Sequence, residues 1–287
     1  RPLTTWAAEK LYKHFIRDNY DIIVSYLEGP TARIVSGCTN PNTKLVSWIH
    51  IEQHTKELAS KSFRSYKEAL DCYSKFDRTV CVSDTVKDDF ESIFDTKKPV
   101  EVLYNTNESE KIKKLSDEKV DDVDFSKDTI NIISVAKIVP SKGYDRLMKI
   151  HKKLIEKNIK NHIYILGIGE EKEKYEKYLT ENNLTDTFTF LGYRDNPYKY
   201  VKKADLYVCS SRREGFSTAV TEALIVGTPV VSTNCSGAYE LLGKNNEYGI
   251  VTENNEDALY EGIKKMLTTP DLLEAYAAKA KERGKAF

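Results

Sequence analysis

The chain has 287 residues, 40% of them apolar, and its 44 basic and 44 acidic residues cancel to a formal net charge of zero. That length is long for one α/β domain and short for two complete ones. A balanced charge gives no field for nucleic acid, no apolar run reaches the roughly 18–20 residues that cross a bilayer, and no signal-peptide pattern opens the chain. Five cysteines, an odd count without a Cys-x-x-Cys pair, argue against a disulfide framework or a thiolate zinc site and read as reduced, packed thiols of a cytosolic protein.

In chain order, residues 4–19 read as a helix with Trp6, Leu11, Phe15 and Ile16 as its apolar positions. Strands follow at 21–26, 44–50, 78–83 and 100–104. Between them lie a Gly29-Pro30 break, a short helix at 31–36, a helix over 55–74, and one capped by Asp84 or Thr85 and running to about Phe94. Strand alternating with helix predicts a parallel sheet. Residues 107–127 are charged and polar and read as a linker with a small helix, so domains are expected at 1–107 and 128–287, joined by 108–127.

The second series starts with a strand over 129–138 and the turn Pro140-Ser-Lys-Gly143, then an amphipathic helix over 144–158. A strand at 162–166 ends in Gly167-Ile-Gly169, a charged helix spans 170–183, and a strand at 187–191 ends in Gly192-Tyr193. After a short helix at 197–203 comes the densest stretch of signal. The apolar strand 205–211 leads into a polar loop, then a helix capped by Ser217 or Thr218 that stops at Gly227, and the β-branched strand 228–233. A strand at 248–251 and one or two helices over 256–286 close the chain. Gly143, Gly167, Gly169, Gly192 and Gly215 all sit where strands end, the edge of an open α/β sheet at which ligands bind. Gly167-x-Gly169 lacks the third glycine of a dinucleotide fingerprint, and no Walker A pattern occurs.

The helix N-terminus after strand 205–211 suits an anion such as a diphosphate, and Gly215 allows close backbone approach. Glu214 in the loop and Glu222 in the helix are out of place beside phosphate unless each meets hydroxyls, as a sugar and a ribose provide. Read at one spacing, Arg-Glu214-Gly215-Phe216-Ser217-Thr218-Ala-Val-Thr-Glu222-Ala-Leu followed by Gly227-Thr-Pro-Val-Val resembles the signature of the family 4 retaining glycosyltransferases with the GT-B fold, and the resemblance extends over about residues 20–285.

The resemblance implies an α/β protein of two Rossmann-like domains facing a crevice. The opening strand and glycine-rich loop of the family's first domain are not found here, which implies an incomplete first domain and a front segment that lies outside this chain. Glu222 would accept from both ribose hydroxyls and Glu214 would meet the transferred sugar. Gly215, Phe216, Ser217 and Thr218 would offer N–H and hydroxyl groups to phosphate and sugar, with core packing the alternative for Phe216. Lys137 and Lys142 would stabilise the leaving diphosphate. The family usually carries arginine at the position of Lys137, so the bidentate fork is lost there; surface charge is the alternative for both lysines. Tyr193 and Arg194 would lie against the base. His50, with His54 as its rival, would meet the donor sugar or the reacting centre, and loop residues 28–33 would meet the acceptor.

The implied reaction moves a sugar from a nucleotide diphosphate sugar, UDP being the expected nucleotide, to a hydroxyl of a lipid-linked or growing polysaccharide. Configuration would be retained with neither metal nor cofactor, and no Asp-x-Asp metal motif is evident. Bacterial capsule or surface polysaccharide synthesis, on the cytoplasmic side with peripheral membrane contact, is the expected setting. A nucleotide-sugar epimerase of the same fold and a non-catalytic nucleotide-sugar-binding subunit are the alternatives.

Overall fold

The computed structural model describes residues 2–287. The chain forms two compact units, one of residues up to Asn105 together with Glu214–Phe216, the other of Thr106–Arg213 and Ser217–Phe287.

The first unit runs α1 (Pro2–Thr5), α2 (Ala8–Phe15), β1 (Ile22–Ser25), α3 (Pro30–Val35), β2 (Lys44–Ile49), α4 (Lys56–Ser60), α5 (Tyr66–Tyr73), β3 (Arg78–Cys81), α6 (Asp84–Ile93) and β4 (Val100–Val102). Its four strands form a parallel sheet in the order β1-β2-β3-β4. The helix expected over 4–19 is two helices, because Ala7 is extended at ψ 151°. That expected over 55–74 also breaks in two, since Ser65 is extended and starts a new helix by accepting from Glu68 N–H. Helix α6 is capped by Ser83, whose hydroxyl accepts from Val86 N–H, rather than by Asp84 or Thr85.

The second unit runs α7 (Ser109–Ser116), β5 (Ile130–Val135), a 3₁₀ turn (Pro140–Lys142), α8 (Tyr144–Glu156), β6 (Asn161–Leu166), α9 (Lys172–Glu181), β7 (Phe188–Gly192), α10 (Tyr198–Lys203), β8 (Leu206–Cys209), α11 (Thr218–Val226), β9 (Val230–Thr233), α12 (Ala238–Leu242), β10 (Ile250–Thr252), α13 (Glu256–Thr268) and α14 (Leu272–Arg283). Helix α7, inside the stretch read as a linker, packs on α10 and α11. Helix α12 falls in a stretch to which no element was assigned, and the last strand lies two residues later than expected.

Six parallel strands pair in the order β10-β9-β8-β5-β6-β7. Every residue of β8 and β9 is buried, which explains their unbroken apolar and β-branched runs. The core joins Ile132, Ile163, Leu206 and Val231 of the sheet to Leu147, Ile150 and Leu154 on one stripe of α8 and to Ile263 and Met266 of α13. From β5 the chain winds outward through β6 and β7, then returns to β8 and winds the other way through β9 and β10. The reversal lies between β5 and β8, and ligands of open α/β sheets bind at such a point, outside the carboxyl ends of the strands.

Candidate functional site

The loops that leave β5 and β8 are fastened to each other. Arg212 N–H donates to Ser141 O at 2.7 Å, and the Ser210 hydroxyl donates to Lys142 O at 2.8 Å. The Arg212 guanidinium donates to both carboxylate oxygens of Asp145 at 2.7 Å, holding that carboxyl below the usual carboxylate range. Arg146 is buried and donates to Ser210 O at 2.8 Å, Ser211 O at 2.6 Å and Asn254 Oδ1 at 2.9 Å. Gly143 has φ +67°, and a Cβ there would lie 2.1 Å from Ser210 O, so nothing larger than glycine fits between the loops. The loop after β6 is as close: a Cβ on Gly169 would lie 2.1 Å from Ile138 O.

The ends of β5 and β6 and the segment after β7 frame a cleft of about 470 Å³, lined by Val135, Lys137, Gly167, Tyr193, Arg194 and Tyr198 among others. Lys137 is exposed and Lys142 half-buried. Tyr193 is 66% exposed. The Arg194 guanidinium turns to Asp122, 3.1 Å away, and lies over the Tyr200 ring. Tyr198, not singled out in the sequence, carries its hydroxyl to Glu222 Oε1 at 3.5 Å. Burial pushes the Glu222 carboxyl up to about 7, with the Tyr198 hydrogen bond working the other way; burial first, and then the Glu222 carboxylate, raises the Tyr198 phenol. Helix α11 starts at Thr218; Ser217 is its N-cap, accepting from Val220 N–H at 3.4 Å.

The neighbouring Glu214–Phe216 packs within the first unit. Phe216 is 6% exposed and stacks on Tyr104, ring centroids 4.8 Å apart, while its carbonyl accepts from the Asn105 amide at 3.4 Å. Its side chain is therefore packed in this unit. The carbonyl of Gly215 accepts from the Ser83 hydroxyl at 3.4 Å, and a Cβ on Gly215 would lie 1.6 Å from His50 O. His50 follows β2, donates its backbone N–H to Glu28 Oε2 at 2.9 Å, and lies edge-on to Tyr26. Its Nε2 is buried with no hydrogen-bond partner among the described residues, as is Trp48 Nε1 beside it. Structure thus joins His50, Gly215 and Phe216 in one unit, and in the other brings Lys137, Tyr193 and Tyr198 around one cleft, with Glu222 bonded to Tyr198.

One expectation is overturned. Arg33, in the loop assigned to an acceptor, is fully buried and donates to Leu3 O, to Trp6 O and to Glu68 at 2.9 Å. It ties α1 and α5 to α3 instead, and its charge holds the Glu68 carboxyl well down although burial opposes this.

Comparison with known proteins accords with this architecture. The family described as "Glycosyl transferases group 1" matches residues 116–283, and "Glycosyltransferase Family 4" matches 1–107. A Campylobacter jejuni protein named N-acetylgalactosamine-N,N'-diacetylbacillosaminyl-diphospho-undecaprenol 4-alpha-N-acetylgalactosaminyltransferase is 31% identical over 94% of this chain and 70% of its own length. A Staphylococcus aureus poly(ribitol-phosphate) alpha-N-acetylglucosaminyltransferase is 25% identical over 98% of this chain and 54% of its own. In fold, TarM superposes with a TM-score of 0.75 at 21% identity, over 95% of this chain and 54% of TarM, so the chain spans about half of that protein. HepE from Anabaena, solved with UDP-glucose, superposes with a TM-score of 0.76 at 17% identity, over 97% of this chain and 77% of HepE. With both halves matched, and with a relative above 30% identity along nearly the whole chain, this protein belongs to the family 4 glycosyltransferases of the GT-B fold.

Proposed function

We propose that the protein transfers a sugar from a UDP-sugar to a hydroxyl of a lipid-linked or polymeric acceptor in polysaccharide synthesis, with retained configuration and without a metal. The observation that carries the reading is Glu222, a half-buried carboxyl held by Tyr198, a residue that lines the cleft; burial raises its proton affinity, and among the described residues it has one long hydrogen bond. A carboxylate so placed gains from two ribose hydroxyls donating to it. Tyr193 would lie along the base. Lys137, Lys142 and the N-terminus of α11, with Ser217 and Thr218, would receive the diphosphate and stabilise the charge that grows on it as the glycosidic bond breaks.

The transferred sugar would be met by Glu214 and His50, with Gly215 and Phe216 holding that segment in place. The unsatisfied Nε2 of His50 supports this role, since a buried ring nitrogen without a partner is where a ligand hydroxyl completes the hydrogen bonding. The leaving phosphate would take the acceptor's proton on the same face, the protein supplying position and electrostatics. The C. jejuni relative's name, which includes a diphospho-undecaprenol acceptor, supports a lipid-linked acceptor and contact with a membrane surface. No helix among the described residues is long and apolar enough to cross a membrane.

The test is incubation of the protein with anomerically labelled UDP-sugars, with and without undecaprenyl-diphosphate-linked acceptors, followed by NMR of the products. Transfer or slow hydrolysis releasing the same anomer supports the reading. Inverted product removes the retaining mechanism, isomerised donor indicates an epimerase, and binding without turnover indicates a non-catalytic subunit.

A further inference from the structure

We propose that Glu52, His54 and Asp89 form a binding site for one first-row divalent cation, Zn²⁺ above all. The proposal does not depend on the sugar-transfer reading. The three side chains each bring one ligand atom to within 4.8 Å of the others. His54 stands between the two acids, Nδ1 3.9 Å from Asp89 Oδ1 and Nε2 4.0 Å from Glu52 Oε2. Ligands about 2.0–2.1 Å from a tetrahedral zinc are roughly 3.3 Å apart, so a cation using one imidazole nitrogen requires side-chain movements of about 1 Å.

Two features set this trio apart from ordinary surface charges. First, the carboxylates are largely withdrawn from water, with side-chain exposures of 17% for Glu52 and 12% for Asp89, against 47% for the imidazole. Two carboxylates at this separation repel, and they repel more when shielded from solvent. Among the described residues, Asp89 has no lysine or arginine partner; the His54 imidazole lies beside it. A divalent cation offsets both negative charges at once. Second, the Asp89 carboxylate is already aimed. It accepts from Gln53 N–H at 2.6 Å and His54 N–H at 3.0 Å, which leaves lone pairs for a metal and fixes the group as outer-shell hydrogen bonds do in metal sites.

Imidazole with two carboxylates suits Zn²⁺, Mn²⁺ or Co²⁺, and affinity among them rises toward Zn²⁺. The cation would clip the loop that follows β2 to helix α6, four residues beyond His50. It would therefore brace the segment bearing His50 without taking part in chemistry.

The test uses the whole chain, titrated with Co²⁺ and read by visible d–d absorption, then displaced by Zn²⁺. His54→Gly removes the imidazole, and glycine accepts the left-handed backbone that His54 holds at φ 62°. The expected result is one saturating equivalent of Co²⁺, without the near-ultraviolet band of thiolate ligation. In His54→Gly and in Glu52→Gln the affinity should fall roughly tenfold or more, with far-UV circular dichroism unchanged. Equal titration curves for wild type and His54→Gly, a thiolate band, or no saturable absorption in the wild type would overturn the site.

Discussion

The Tyr198 hydroxyl donates to Glu222 Oε1 across 3.5 Å, joining α11 to α10, whose Tyr198 lines the cleft at the ends of β5 and β6. This pair sets a pH dependence. Burial raises the Glu222 carboxyl from 4.5 to about 7. The folded protein thus holds this proton more tightly than the unfolded chain. The stabilisation is complete below about pH 4.5 and is lost as pH rises to about 7, by about 1–3 kcal/mol. Glu222→Gln should be as stable as wild type near pH 4.5 and more stable above pH 7, as read by urea unfolding at several pH values. Nucleotide binding should show the opposite slope, since ribose hydroxyls donate best to the ionised carboxylate. Wild-type affinity should rise through pH 7, while that of Glu222→Gln stays weak and flat in calorimetric titration.

Gly215 is required by packing as well as by chemistry. Gly215→Ala places a methyl group 1.6 Å from His50 O, a backbone atom that cannot step aside. The expected outcome is a loss of about 1–3 kcal/mol, together with loss of transfer activity. A variant with wild-type Tm and turnover would show that the loop does not rest on His50.

Tyr104 and Phe216 form a second anchor for the same segment. Phe216→Ala should cost about 3–5 kcal/mol if the segment keeps its place. A double-mutant cycle with Tyr104→Ala should return a coupling of about 0.5–1.5 kcal/mol. Zero coupling in chemical denaturation would contradict the stacking.

The strand–helix alternation, the parallel sheets and the Glu214–Glu222 stretch were legible because each rests on local pattern: apolar runs at 205–211 and 228–233, Ser217 as cap, Gly227 at the helix end. The broken helices at residues 61–65 and at Ala7 were not, because the apolar period continues across both breaks while the backbone does not. Arg146 went unremarked although it sits in the first turn of α8, where a cation opposes the helix dipole. That misplaced charge was the available signal for its role as a donor to the Ser210 and Ser211 carbonyls. Tyr198 left no signal, since its partnership with Glu222 depends on how α10 packs on α11. The burial of Arg33 was equally hidden, because its partners lie 27 to 35 residues away.

Arg146 supplies a further prediction. Arg146→Ala removes the two hydrogen bonds its guanidinium donates to Ser210 O and the one it donates to Ser211 O, so about 2–4 kcal/mol should be lost, and nucleotide affinity with it, because both loops of the switch point loosen. Arg146→Lys should rescue little, since an ammonium cannot reach Ser210 O, Ser211 O and Asn254 together.

His151 is a second titrating element, remote from the cleft. It is fully buried, with Nδ1 2.7 Å from Asn161 Oδ1 and Nε2 2.9 Å from Thr187 Oγ1. Burial pushes it down to about 4 from 6.5. Its contribution is present above pH 6.5 and is lost as pH falls toward 4, by up to about 3 kcal/mol. His151→Gln should flatten that part of the acid limb of the stability curve; an unchanged limb would place the acid sensitivity elsewhere.

The most direct measurement is calorimetric titration of the protein with UDP, GDP, ADP and CDP, repeated with Glu222→Ala. The account predicts saturable one-to-one binding of UDP, weaker binding of the other nucleotides, and loss of the UDP signal in the variant. Equal affinity for all four, or UDP binding unaltered by the substitution, would contradict it.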